Sequence, residues 1–209
     1  DMAITRWQED STRENWGQFC YIRDCKSGEY WSSTLQPSLK KADSYEAIFC
    51  DAKAEFKVRK NDLELHTEIV VSPEDDVELR YLHIKNRSSE KRSLELTSYM
   101  EVVLAEMQKD ALHPAFSKLF VQSELQKELQ AIICHRRPNI EKKGIAPAKP
   151  YMFHLLSAHG VNISNLSYET DRARFIGRGR TLVNPVVMDV NTNKNLSNTC
   201  GPVLAPIAA

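Results

Sequence analysis

The feature that most constrains this chain is a run of strict apolar–polar alternation. Leu63, Leu65, Ile69 and Val71 share one face of a period-two pattern, and Glu64, His66 and Glu68 share the other. Side chains alternate across a β-strand, so the pattern describes a strand with one buried and one wetted face. Residues 77–85 read as a second strand, set off by the turn formers Ser72-Pro73-Glu74-Asp75-Asp76. Residues 93–104 give the clearest strand: Leu94, Leu96, Met100, Val102 and Leu104 point one way, and Glu95, Thr97, Tyr99 and Glu101 the other. Residues 118–126, 128–136 and 151–159 are further strand candidates, and the aromatic-rich stretch 13–45 is expected to hold short ones. Strands at such short spacing pair antiparallel. An apolar sheet face needs a second layer to cover it, so the expected fold class is all-β, an antiparallel β-sandwich. No helical period of useful length appears, and only 119–129 reads either way. On this reading Leu96→Ala costs ~2–5 kcal/mol through a core cavity.

Charge and cysteine content narrow the function. The 209 residues carry no formal net charge, which argues against a nucleic-acid partner or an anionic membrane surface, since both call for a basic face. No apolar run approaches the ~20 residues a bilayer needs, so direct membrane insertion is not expected. Cys20, Cys25, Cys50, Cys134 and Cys200 are odd in number and irregular in spacing, unlike a disulfide framework or a zinc pattern. Free thiols of this kind suit a reducing, cytoplasmic setting. No metal and no cofactor is implied. No linker or repeat divides residues 1–209, which read as one domain, and both termini read as the ends of a piece of a larger multidomain protein.

Several separated blocks carry a resemblance. Trp7-Gln8-Glu9-Asp10, Trp16-Gly17-Gln18-Phe19 and Tyr21-Ile22-Arg23-Asp24 come first, followed by Ser27-Gly28, Trp31-Ser32 and Pro37. Then come Val71-Ser72-Pro73-Glu74-Asp75-Asp76-Val77-Glu78-Leu79-Arg80 and Thr97-Ser98-Tyr99-Met100-Glu101-Val102-Val103-Leu104. The later blocks are Asp110-Ala111-Leu112-His113-Pro114-Ala115-Phe116, residues 170–180, and Gly201-Pro202-Val203-Leu204-Ala205-Pro206-Ile207. In this order, from Trp7 to Ile207, the chain resembles the N-terminal sandwich of glycoside hydrolase family 94, formerly glycosyltransferase family 36, in the form it takes in cyclic β-1,2-glucan synthases.

The resemblance implies a galactose-mutarotase-like supersandwich that precedes helical linker segments and an (α/α)6 barrel. Family members are inverting glycoside phosphorylases. The barrel carries the general acid, and inorganic phosphate is the nucleophile. In cyclic glucan synthases this region follows a glycosyltransferase embedded in the bacterial inner membrane, and its phosphorolysis helps set glucan length. An inverting mechanism needs a carboxylic acid to protonate the leaving oxygen, and the family's acid lies in the barrel, so no catalytic residue is assigned here. Relatives carry Asp where this chain has Ala205, and their sandwich continues beyond that point. An open sheet edge of that kind invites pairing, which leads to the expectation of a homodimer.

The candidate glycan or interdomain contacts are Trp16, Arg23, Trp31, His113, Phe116, Asp171, Arg172, Phe175, Arg178 and Arg180. Arg forks suit bidentate polar recognition, so the segment from Asp171 to Arg180 reads either as an exposed loop contacting glycan, phosphate or barrel, or as a structural turn pinned by an Asp–Arg pair. Its Gly-Arg-Gly neither follows a clear strand nor opens a helix, so it is a weak phosphate-loop signal. Trp7, Trp16 and Trp31 could stack on sugars, but clustered aromatics near the start of a sandwich more often form core. His113-Pro114 reads as a prolyl turn with Phe116 buried. The cluster from Arg136 to Lys143 reads as a solvated loop. The expected role is a non-catalytic accessory domain that packs on the barrel and supports dimerisation, with β-glucan as a candidate ligand. An autonomous β-glucan-binding module and a mutarotase-like enzyme are the alternatives.

Overall fold

The computed structural model describes residues 2–6, 8–10, 12, 15–137, 150–163, 166–189 and 207–209. The structure is all-β, built from antiparallel sheets. It divides into two compact units, Phe19–Thr97 and the remainder, Asp1–Gln18 with Ser98–Ala209.

In the Phe19–Thr97 unit, β1 (Gln18–Asp24) pairs with β2 (Tyr30–Ser32). β3 (Ser44–Phe49), β4 (Ala54–Lys60), β5 (Leu63–Val71) and β6 (Glu78–Asn86) form a four-stranded meander in chain order. The alternation in β5 maps onto two faces. Leu63 and Leu65 are fully buried with Val58 of β4, against Ile22 of β1 and Trp31 of β2. His66 and Glu68 stand on the other face, opposite Lys57 and Glu55. Asn61 and Asp62 close the β4–β5 hairpin with φ of 52° and 60°, the left-handed pair that matches the twist of a two-residue hairpin. Leu94 and Leu96 pack against the same core but are only partly buried.

β7 (Leu94–Glu101) carries the chain out of this unit. In the other unit its end pairs with β11 (Ile207–Ala208), Glu101 opposite Ile207 and Met100 opposite Ala208. β8 (Val121–Gln126), β9 (Ala131–Arg136) and β10 (Tyr151–Leu155) form a three-stranded sheet in the order β10-β9-β8. Met100, Val102, Leu104, Val121, Ile132, Cys134, Met152 and Ala208 make the core of this unit.

Several expectations need correction. Strands at 44–49 and 54–60 escaped the sequence reading, although β4 alternates Phe56 and Val58 with Glu55 and Lys57. Among the described residues there are three short α-helices: α1 (Met107–Leu112), α2 (Pro114–Lys118) and α3 (Arg172–Ile176). At five or six residues they are too short for a periodic signal. Residues 118–120 therefore leave a helix rather than begin a strand, and 119–129 contains strand. Tyr99 and Glu101 lie on the row of β7 opposite Met100, yet both are buried.

Candidate functional site

The buried row of β7 defines a polar centre in the unit that contains α2 and α3. Tyr99 packs its ring against Phe175 of α3 with centroids 4.7 Å apart. Glu101, two residues on and so on the same face of the strand, receives three donors. Arg172 Nε donates to Oε1 at 2.5 Å, Tyr99 Oη donates to Oε1 at 3.0 Å, and Lys118 Nζ donates to Oε2 at 3.2 Å. Burial alone would raise the Glu101 carboxyl, but the Lys118 and Arg172 charges and their hydrogen bonds outweigh it and hold the carboxyl below the usual range. Glu101 is therefore an ionised, fully engaged acceptor that ties α2 and α3 to β7.

Local sequence places α3 on this centre. The Asp171 carboxylate caps the helix by accepting from Ala173 N–H at 2.8 Å. Phe175 and Ile176 turn inward, and Gly177 ends the helix at φ 86° with Val186 packed so close that a Cβ there would stand 2.9 Å from the valine Cβ. Just before the cap, Glu169 is almost wholly buried. Its Oε1 accepts from the Thr170 and Asp171 N–H groups at 2.9 Å each, while Oε2 is buried without a partner among the described residues. Burial pushes the Glu169 carboxyl above the ordinary range, against the pull of those two N–H groups.

A second charged set flanks α1 and α2. Arg6 grips Asp110 with two hydrogen bonds, Nε at 2.6 Å and Nη2 at 2.8 Å. Burial would raise Asp110, but the Arg6 bond and further hydrogen bonding and charge hold it low. Arg136 donates to the carbonyl oxygens of Val103 at 3.1 Å and Ser117 at 2.9 Å. Arg136 is thus a structural member of β9, not part of a solvated loop. Residues 138–149, the rest of that expected loop, lie outside the described residues, as do Trp7 and Ala205.

The predicted contact residues separate. Arg172, Phe175 and Asp171 converge on the Glu101 centre. Asp171 forms an Asp–Arg pair with Arg174 at 3.9 Å, while Arg172 is held by Glu101, a strand carboxylate distant in sequence. Arg180 pairs with Asp189 at 2.8 Å, and Arg178 is exposed with no ion pair among the described residues. In the other unit, Arg23 pairs with Glu95 at 2.7 Å, and Trp31 is buried in the core, the more frequent of the two placements weighed for it. Trp16 is half-buried, its indole N–H buried and without a partner among the described residues. His113 is exposed between α1 and α2. Phe116 is also exposed, at 55%, and stacks edge-on with Phe120 at 5.0 Å, so the expectation that it is buried fails. Met107, Leu112 (73% exposed) and Leu119, on or next to the same two helices, are exposed as well.

Glu101, Lys118, Glu169 and Asp110 were absent from the predicted set. The signal for Glu101 lies in the apolar run Val102-Val103-Leu104-Ala105 that follows it. Near-continuous hydrophobicity marks a segment buried on both faces, where a charge must be paired.

Comparison with known proteins decides what this fold is. Residues 1–209 match the supersandwich domain of glycosyl hydrolase 94 over the whole chain. The chain belongs to that family. The supersandwich domain is 34% identical over 209 residues to the cyclic beta-(1,2)-glucan synthase NdvB of Rhizobium meliloti (strain 1021), covering 99% of this chain and 7% of that protein. It is 24% identical over 200 residues to the N,N'-diacetylchitobiose phosphorylase of Vibrio proteolyticus, covering 94% of this chain and 23% of that protein. The corresponding phosphorylase of Vibrio furnissii is 22% identical over the same length. These relatives are enzymes, and the domain spans less than a quarter of the length of each. Among the described residues no helix is long and apolar enough to cross a membrane.

Proposed function

We propose that this supersandwich domain is a non-catalytic accessory part of a cyclic β-1,2-glucan synthase or related family 94 enzyme, and that it packs on the catalytic barrel through the α1–α2 surface. The observation that carries this reading is the exposure of four large apolar side chains on and beside α1 and α2, Met107, Leu112, Phe116 and Leu119, beside a polar centre whose one carboxylate is held by two cations. Clustered apolar side chains left in water at one place mark an interaction surface. Glu101, ionised and holding three donors, offers neither a free base nor an acid at neutral pH. The 34% identity to a glucan synthase supports the choice of parent. In such a parent the domain would stand on the cytoplasmic side of the membrane.

The test places Leu112→Asp and Phe116→Asp together in the full-length protein. Activity is expected to fall, and limited proteolysis to release the domain sooner. The same pair in the 209-residue chain is expected to shift stability by no more than ~0.5 kcal/mol per site, as for ordinary surface positions. Full-length protein with unchanged activity and unchanged proteolysis would sink the reading.

A second reading, in which the domain itself holds β-glucan, is favoured by the exposed guanidinium of Arg178, which has no ion pair among the described residues. Calorimetric titration with β-1,2-linked gluco-oligosaccharides, with cellobiose as control, distinguishes it. Linkage-selective heat supports binding, and its absence in folded protein leaves the docking role alone.

A further inference from the structure

The wetted face of the β3–β6 meander carries a cluster that neither reading uses. Register places Glu55 of β4 directly opposite Glu68 of β5 on that face. Like charges directly opposite one another destabilise a sheet, so the pair calls for a cation. The structure supplies an ammonium: Lys53, in the turn before β4, bridges Glu55 Oε1 at 2.7 Å and Glu68 Oε1 at 2.6 Å. Hydrogen bonds to the two carboxylates hold the lysine above its ordinary range.

His66 is the residue that makes this more than an acidic pair. Its Nε2 lies 2.8 Å from Glu55 Oε2, and one ligand atom from each of Glu55, His66 and Glu68 falls within 4.8 Å of the others. Ligands of a tetrahedral zinc ion stand about 3.4 Å apart, given bonds near 2.0–2.2 Å. Side-chain rotation on an open sheet face covers that difference. Directly across the β5–β6 ladder from His66, on the same face, stands the exposed residue His83, a second imidazole beside the cluster. Imidazole with carboxylates favours zinc-like transition metals over magnesium or calcium, which prefer oxygen alone.

We propose that Glu55, His66 and Glu68 form a binding site for a divalent metal of the zinc class, with Lys53 as the cation that closes the site when no metal is bound. Metal entry requires only that Lys53 swing out into solvent, since its side chain is already partly exposed. The fold of the unit does not depend on it, because the Leu63–Leu65 core lies on the other face of the sheet.

The test is titration of the 209-residue chain with Zn2+, followed by calorimetry and by the His66 and His83 ring signals in NMR, with Mg2+ and Ca2+ as controls. One Zn2+ per chain is expected, with His66 perturbed. His66→Ala and Glu68→Gln should each weaken binding by ~10-fold or more, since even supporting residues around a metal commonly matter that much. Lys53→Met should tighten it. Circular dichroism checks that each variant folds. Absence of saturable Zn2+ binding in the wild type at millimolar metal overturns the proposal, even if Lys53→Met binds, because the lysine would then exclude the ion. Binding unaffected by His66→Ala overturns it too, as does Mg2+ binding of equal strength, which would mark an acidic patch.

Discussion

Replacing Glu101 with Gln isolates the charge at the polar centre while keeping its shape. The Gln amide oxygen can still accept from Tyr99 Oη and Arg172 Nε, but its NH2 group would face the Lys118 ammonium, donor against donor. Glu101 and Lys118 are 9% and 16% exposed at the side chain, and Arg172 is 39% exposed. The Lys118 bond is a buried charge-assisted one, ~1.5–3 kcal/mol. The Arg172 bond survives in weaker form, and because Arg172 is more than a third exposed its share is discounted to ~1 kcal/mol or less. The sum, ~2–4 kcal/mol, overlaps the lower part of the ~3–5 kcal/mol seen when one partner of a fully buried pair is removed.

Urea denaturation followed by circular dichroism measures this, and with a slope near 3 kcal/mol/M the midpoint should fall by roughly 1 M. The sign with pH follows from the depressed carboxyl. The Glu101 contribution is complete above the ordinary Glu value of about 4.3 and is lost as pH falls through the lower folded-state value. The wild type and Glu101→Gln should therefore converge in strongly acid solution. A loss under ~1 kcal/mol at pH 7, or a gap that persists undiminished in acid, would refute the reasoning, because the charge would then not be what holds the centre together.

Three further outcomes follow from other sites. Leu65→Ala, at a fully buried position, should cost ~2–5 kcal/mol by chemical denaturation, whereas Leu96→Ala should cost less because Leu96 is only partly buried. Gly177→Ala combines a left-handed backbone with a close approach to Val186 and should lose ~1–3 kcal/mol, read as a lower Tm. Glu169 has a raised carboxyl, so its contribution to stability is present below the ordinary Glu value and is lost as pH rises through the folded-state value. Glu169→Gln, which cannot ionise, should flatten that decline in a stability–pH series, and an unchanged profile would show that Glu169 does not titrate differently on folding.

The strands were legible where one face is wet. Residues 63–71 match β5 end to end because Glu64, His66 and Glu68 stay on the open face while Leu63 and Leu65 enter the core. The same rule misled at Tyr99 and Glu101. Alternation says which residues share a face, but not whether a helix distant in sequence will cover the second face. Here α3 arrives some seventy residues later, and the |i−j| of 71 between Arg172 and Glu101 has no local signature. Phe116 failed for the converse reason. A prolyl start fixes the backbone of α2, but burial of a side chain on a one-turn helix depends on what lies beside it.

The residues expected to make outside contacts are therefore of two physical kinds. Arg23, Trp31, Arg172 and Phe175 spend their polar or apolar surface within this chain, so changing them alters stability first and any activity of a parent protein only through it. Leu112, Phe116 and Arg178 hold surface that the described residues leave uncovered. Asp110 and Phe116 draw the contrast most sharply, since they sit six positions apart on the adjoining helices α1 and α2. Loss of Asp110 would strand the buried Arg6 guanidinium, whereas loss of Phe116 removes a ring already in water. A substitution pair that leaves the denaturation curve of this chain unmoved at Phe116 and shifted at Asp110 would locate function on the exposed helical surface and structure beneath it.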